Sequence, residues 1–236
     1  MAFVITMGGL SKRFSEAGYN TPKYALPLGN KTLFEFAVSS FKNYFKTDLF
    51  IFVVKSDGFA PEFVRKKIAN LGIKSYDIVE LQEDTSGQAE SLFIGLEDYR
   101  NDFPIYVFNI DTIRHNFKKP SIASSCDGFL EIFRGSGSNW SFVEPGDNYS
   151  VIRTTEKDPI SNLCSNGLYF FRSHIQFQDA FRSLNKTDMV KGEFYIAPIY
   201  NSLINNGADI RYVEVTSDCI DFCGTPSEYL NLMEDF

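Results

Sequence analysis

The feature that most restricts this 236-residue chain is the alternation, across its first half, of short apolar runs with segments of helical period. Residues 2–7 form a β-rich run that ends directly in Gly8-Gly9, as a buried strand does when it feeds a tight turn. Leu33, Phe36, Ala37 and Phe41 then recur at helical spacing, and the apolar run 49–54 closes a βαβ unit. The pattern repeats, with residues 63–71 helical, 76–81 extended, 89–96 helical and 105–110 a strand ending at Asp111. Such a chain buries its strands on both faces, which implies a largely parallel sheet between helices. The second half is less regular, with strands expected at 128–133, 150–155, 167–171 and 210–214 and helices near 175–184 and 195–205. It reads as a continuation of the same sheet, so the expected fold is a single α/β domain with a doubly wound, mixed but mostly parallel sheet.

Composition excludes several functions. A net charge of −7 and a pI near 5.0 argue against an extended nucleic-acid surface, whose affinity comes from clustered Lys and Arg. Any nucleotide bound here is expected to be a mononucleotide in a local pocket. The start has no basic leader, and no apolar run approaches the roughly 20 residues needed to cross a bilayer, so the expected location is cytoplasmic. The four cysteines lack the paired spacing of a zinc site and are expected to be reduced thiols. The 24 Phe and 12 Tyr lie mostly inside apolar runs and are expected to pack the core. His115 and His174 are expected at surface or structural positions.

In open α/β sheets ligands bind beyond the carboxyl ends of the strands. There the chain places Gly8-Gly9-Leu10-Ser11-Lys12-Arg13 and, after a polar spacer, Pro22-Lys23. Glycines let backbone amides approach a polyphosphate, and Arg13 and Lys23 neutralise its charge. Neither of the common nucleotide loops is present, and 29–32 reads as a hairpin-type turn before a helix. Ser86-Gly87-Gln88 opens a helix whose free N–H groups suit nucleotide atoms. Asp111 ends an apolar strand and offers the hard oxygen that Mg²⁺ takes alongside phosphate oxygens and water.

These segments resemble the sugar-nucleotide pyrophosphorylase family of nucleotidyltransferases, whose members have a Rossmann-like fold and open with a strand, a G-G-x-G-x-R loop and a later P-K. The resemblance covers most of the chain, with Ser11 standing at the third glycine. It implies that Gly8, Gly9 and Ser11 wrap the triphosphate, that Arg13 contacts the leaving phosphates and Lys23 the α-phosphate, and that Gly87 and Gln88 read the base. It implies Mg²⁺ held by Asp111 and Asp221. Asp221 lies in C-I-D-F-C-G-T-P, where one extra residue precedes Gly224; that residue either bulges the strand or leaves Asp218, or neither carboxylate, at the metal. It also assigns Glu156 to the acceptor's hydroxyls, Lys157 to its phosphate, and Asn166, Gly167 and Glu193 to the acceptor pocket. Residues to about 115 would then serve the nucleotide and 116–236 the acceptor.

The implied reaction joins a nucleoside monophosphate, taken from its triphosphate, to a phosphorylated small molecule, releasing pyrophosphate and supplying surface polysaccharide synthesis. The partners are those two substrates, with no nucleic acid and no membrane; homo-oligomerisation, the base and the acceptor stay open. Two alternatives also stay open. Asn109-Ile110-Asp111 resembles the metal element of glycosyltransferases that use nucleotide sugars, and Ser11 and the shifted Asp221 suit a regulatory module without catalysis.

Overall fold

Along residues 1–234, which the computed structural model describes, the first half runs β1 (Ala2–Thr6), α1 (Lys12–Glu16), β2 (Pro27–Leu28), β3 (Lys31–Thr32), α2 (Leu33–Ser39), β4 (Leu49–Lys55), α3 (Phe59–Leu71), β5 (Ser75–Leu81), α4 (Gln88–Leu96) and β6 (Ile105–Asn109). The second half runs β7 (Thr112–Arg114), β8 (Gly128–Arg134), β9 (Ser141–Pro145), β10 (Val151–Glu156), β11 (Leu163–Phe171), α5 (His174–Arg182), α6 (Ile199–Asn205), β12 (Ile210–Glu214), β13 (Ile220–Phe222) and α7 (Pro226–Met233).

β1 shows how the sequence builds the centre. Its side chains alternate between two apolar layers, Phe3 and Ile5 facing one and Ala2 and Val4 the other. It pairs in parallel with β4 and β6, and β4 pairs in parallel with β5. The register sets Phe3 opposite both Phe50 and Tyr106, and the rings stack at 5.1 and 5.2 Å between centroids. Cross-strand aromatic pairs of this kind stabilise a sheet beyond the area they bury, and much of the Phe and Tyr content is used this way. α2 and α3 cover the aromatic layer; α4, α5 and α6 cover the other.

The sheet runs β10-β9-β11-β6-β1-β4-β5, with β8 on β11 and β12 on β8. The first-half strands are parallel as expected, whereas β11 joins β6 antiparallel and in turn carries β8 and β9 antiparallel. Residues 141–145, unassigned in the sequence, form β9, and the expected strand 167–171 extends back to Leu163. The late helix begins at Ile199, leaving 195–198 outside it.

Two capping boxes fix the segments around the candidate site. Thr32 caps α2 with Glu35, and Lys67 of α3 reaches the same carboxylate at 2.7 Å. Thr225 caps α7 with Glu228, with Pro226 in the first turn. The Tyr229 hydroxyl then donates to the Pro27 carbonyl at 2.6 Å, drawing the carboxyl-terminal helix onto the segment that follows Lys23. All four cysteines are free thiols, and no helix among the described residues is long and apolar enough to cross a membrane.

Candidate active site

Beyond the carboxyl ends of β1 and β6 lies a cavity of about 690 Å³. Gly8, Gly9, Ser11, Arg13, Lys23, Gly87, Gln88, Asp111 and Glu193 all line it. Glu156, Lys157, Asn166, Gly167 and Asp221 do not.

The glycine loop follows from close packing. A Cβ on Gly8 would lie 2.8 Å from the end of the Leu81 side chain and 3.3 Å from the Ser91 hydroxyl, so glycine lets the loop sit close against β5 and α4. Ser11 adopts the left-handed conformation, with φ 50° and ψ 32°, so the backbone shape natural to a glycine persists although the residue has changed. Its hydroxyl accepts from the Lys23 amide at 3.3 Å, tying the loop to the Pro22-Lys23 turn. Ser11→Gly should therefore preserve the fold and raise stability by about 0.5–1 kcal/mol as the strain is relieved. A thermal melt showing clear destabilisation would mean that the tie to Lys23 outweighs the strain. Arg13, exposed on α1, makes no ion pair among the described residues and faces the cavity.

Lys23 Nζ lies 2.6 Å from Asp111 Oδ2, the two side chains being 20% and 25% exposed. Burial pushes the Asp111 carboxyl up, but the Lys23 ammonium, helped by Arg13, outweighs it and holds the group below the usual carboxylate range. The Cys223 amide donates to the Asp111 carbonyl at 2.9 Å. A Cβ on Gly224 would stand 3.2 Å from Asp111 Oδ2, so glycine there keeps the carboxylate open. These features suit a divalent cation: a charged, hard oxygen faces the cavity and already holds a positive group. Burial pushes the nearby Cys223 thiol up, so in the metal-free site it stands beside Asp111 as a neutral group. Among the described residues no three His, Cys, Asp or Glu side chains cluster as a metal cage, so a metal at Asp111 would need substrate oxygens and water among its ligands.

Asp221 sits in β13, which pairs with β7 in continuous register, Asp221 opposite Ile113 and Phe222 opposite Thr112. The extra residue therefore makes no bulge at Asp221. Its carboxylate meets His115 Nε2 at 2.6 Å, a contact that no local sequence signal marks. Asp218 is exposed in the turn before β13 and also stays outside the cavity. His174 is fully buried against Phe103, a structural position as expected.

Thr6 and Asn109 are register partners on β1 and β6, and the Gln88 amide donates to both side chains, at 2.9 and 2.5 Å. Two strands thus orient the first residue of α4 toward the cavity. Gly167, at φ 88°, leaves room behind Asn109; a Cβ there would fall 2.4 Å from its amide nitrogen. Gly87, at φ 122°, abuts Phe194, whose carbonyl would lie 2.5 Å from a Cβ. Phe194 donates to the Ser86 carbonyl and accepts from the Ala89 amide. The segment 84–88 is thereby joined to a tight hairpin in which Val190 and Glu193 exchange backbone bonds across Lys191 and Gly192, both at positive φ.

At the far end, Glu156 lies opposite Ser141 in the β9–β10 pair and accepts its hydroxyl hydrogen bond. Burial pushes the Glu156 carboxyl up, more than the Ser141 bond and Lys157 lower it. Folding thus favours the protonated acid: this stability is present below the unfolded value of about 4.3 and is lost as pH rises through the folded one. Glu156→Gln should match the wild-type melting temperature near about pH 4 and exceed it near about pH 8; a gap unchanged with pH would contradict this. Lys157 Nζ lies 4.0 Å over the Tyr195 ring centroid, donates to the Tyr195 hydroxyl, and stands 3.9 Å from Glu156. Asn166 is 2% exposed and gives its amide to Glu131 at 2.7 Å, so it supports the strands and does not face substrate space.

Lys191 and Tyr195 went unassigned in the sequence, and His115 was expected at a surface or structural position without its partner Asp221. The first lines the cavity without an ion partner among the described residues; the Lys191-Gly192 turn was the one local signal available for it.

Comparison with models of known protein families and with curated proteins finds no match. Among solved structures, the nucleoside-diphosphate-sugar pyrophosphorylase from Vibrio cholerae RC9 is 42% identical, with 99% of this chain and 100% of that chain covered and a TM-score of 0.94. A UDP-glucose pyrophosphorylase complexed with UDP-glucose is 17% identical over 99% and 97% of the two chains, TM-score 0.80. The inositol-1-phosphate CTP transferase from T. maritima is 15% identical over 99% and 94%, TM-score 0.76; these last two likenesses show the fold alone. Its identity to the Vibrio protein, over the full length of both chains, makes this chain a member of the nucleoside-diphosphate-sugar pyrophosphorylase family and its catalytic class that of a nucleotidyltransferase.

Proposed function

We propose that the protein is a Mg²⁺-dependent nucleotidyltransferase that joins a nucleoside monophosphate to a sugar phosphate or similar phosphorylated small molecule, probed best as pyrophosphate release. The observation that carries this reading is the convergence of the glycine loop, Arg13, Lys23, Gln88 and Asp111 on one cavity. An acceptor phosphate oxygen attacks the α-phosphorus in line and forms the new P–O bond. The bond from the α-phosphorus to the α,β-bridging oxygen breaks, and its electron pair leaves with pyrophosphate. The attacking oxygen is already anionic near neutral pH, so no general base is required. Lys23 places its ammonium by the α-phosphate, Arg13 and the loop amides hold the leaving phosphates, and Gln88 faces the base. Asp111, with Asp221 once its carboxylate leaves His115, would hold Mg²⁺, which supplies charge neutralisation around the phosphates.

The acceptor belongs on the side of residues 116–236. Lys191 at the hairpin tip and Lys157 over Tyr195 are the cations suited to its phosphate, and Glu156 and Glu193 the carboxyls suited to its hydroxyls. Surface polysaccharide is the proposed destination of the product, by analogy with the sugar-nucleotide chemistry of the family. The test is pyrophosphate release from each common nucleoside triphosphate against a panel of sugar phosphates and phosphorylated alcohols, with Mg²⁺ and with EDTA. Metal-dependent release with one pair, lost in Asp111→Ala, is the expected result; triphosphate binding with no turnover across the panel would reject the reaction.

A further inference from the structure

We propose that Lys23 is the resident cation of this site: without nucleotide it fills the position on Asp111 that a divalent ion would take, so the enzyme takes its metal together with the triphosphate and not before it. This rests on the reading of Asp111 as the metal-ligating carboxylate.

Three observations carry it. First, Lys23 Nζ is already in direct contact with Asp111 Oδ2 at 2.6 Å, the oxygen on which Gly224 leaves an open approach. A divalent ion reaching that oxygen meets an ammonium at bonding distance, and two cations so close repel in a partly desolvated site. Second, the lysine cannot withdraw as a segment. Its amide is held by the Ser11 hydroxyl, the Ala25 amide donates to the Pro22 carbonyl, and the next residue, Tyr24, is buried. Only the side chain can swing, and the neighbouring Glu228 carboxylate already accepts from the Thr225 amide. Third, the carboxylates that could offset the cost of expelling the ammonium are already engaged, Asp221 by His115 and Glu228 by the Thr225 amide.

A triphosphate arriving with its metal removes both obstacles. Its oxygens complete the metal's ligand set, and its α-phosphate gives the ammonium a new partner. Asp111 and Lys23 exchange partners in one movement, which places the lysine at the phosphorus to be attacked. Lys23 thus has opposite effects on two measurable quantities: it weakens binding of metal alone and strengthens turnover.

The test is Mn²⁺ binding to nucleotide-free protein, read from loss of the free-ion electron paramagnetic resonance signal. Lys23→Met and Lys23→Gln should each bind Mn²⁺ roughly tenfold or more tightly than wild type, because the competing charge is gone. Lys23→Arg, which keeps the charge, should bind as weakly as wild type. Adding Asp111→Asn to Lys23→Met should abolish the gain. The proposal is overturned if wild type binds one Mn²⁺ per chain as tightly as Lys23→Met, or if the gain survives Asp111→Asn. Circular dichroism establishes that each variant is folded, and two neutral replacements guard against a defect peculiar to one. Absence of turnover across the pyrophosphate panel would remove the proposed reaction without altering this metal measurement, so the two failures are distinguishable.

Discussion

Replacing Lys23 with methionine is expected to slow pyrophosphate release by about 10²–10³-fold, the loss typical of one preorganised charge aimed at a transition state. Methionine keeps much of the side chain's bulk and removes only the ammonium, so the fold is retained. A second effect follows in the free enzyme. Asp111 is held below the ordinary carboxylate range chiefly against the cost of its burial, by Lys23. A lowered carboxyl contributes stability that is present above the unfolded value of about 3.9 and is lost as pH falls through the folded one. Lys23→Met should therefore be destabilised at neutral pH and much less so in acid, as Asp111 takes up a proton. Unchanged turnover would remove Lys23 from the reaction. Unchanged pH dependence of the melting temperature would mean that solvent, not Lys23, accounts for the state of Asp111.

Glu131→Ala is expected to cost about 3–5 kcal/mol, the range for leaving a buried charge without its partner. Glu131 is 1% exposed and Arg114 8%. The Arg114 guanidinium donates to Glu131 at 2.7 and 3.2 Å, and Asn166 gives its amide to the same carboxylate. Arg114 also donates to the His115 carbonyl, so the network joins β7, β8 and β11 behind Asp111. At roughly 2–4 °C per kcal/mol for a chain of this length, the melting temperature should fall by about 10 °C. Pairing Glu131→Leu with Arg114→Met should recover much of the loss, because a buried ion pair replaced by packed apolar groups is often no less stable. A single variant that melts within about 2 °C of wild type would show that water reaches the pair and screens it.

The first half of the fold was legible because its signals are local. Strand, glycine loop and helix follow one another within a few residues, and each strand there is buried on both faces, so it reads as a continuous apolar run. The second half obscures its order because β11 pairs antiparallel with β6, β8 and β9 across separations that no local period records. β7 and β13 span three residues each, too few to show a pattern.

The same distinction divides the site. Gly8, Gly9, Arg13, Lys23, Gly87, Gln88 and Asp111 sit at the ends of locally legible elements, and they meet in one cavity. Asn166 and Gly167 illustrate the limit. The family resemblance assigned them to the acceptor pocket, yet one is buried on Glu131 and the other makes room for Asn109. Both relations depend on strand register, which the sequence does not display. The contacts of Asp221 with His115 and of Lys157 with Tyr195 join residues 106 and 38 positions apart, and only the folded chain brings them together.

The fate of the phosphates distinguishes nucleotidyl transfer from any other use of a triphosphate. A triphosphate radiolabelled at the α-phosphorus, and the same triphosphate labelled at the γ-phosphorus, are each incubated with the protein, Mg²⁺ and the active acceptor. The α label is expected to move into the acceptor product while the γ label leaves in pyrophosphate, and both transfers should slow by about 10²–10³-fold in Lys23→Met. Appearance of the γ label in the acceptor, or release of the α label as free monophosphate, would contradict nucleotidyl transfer.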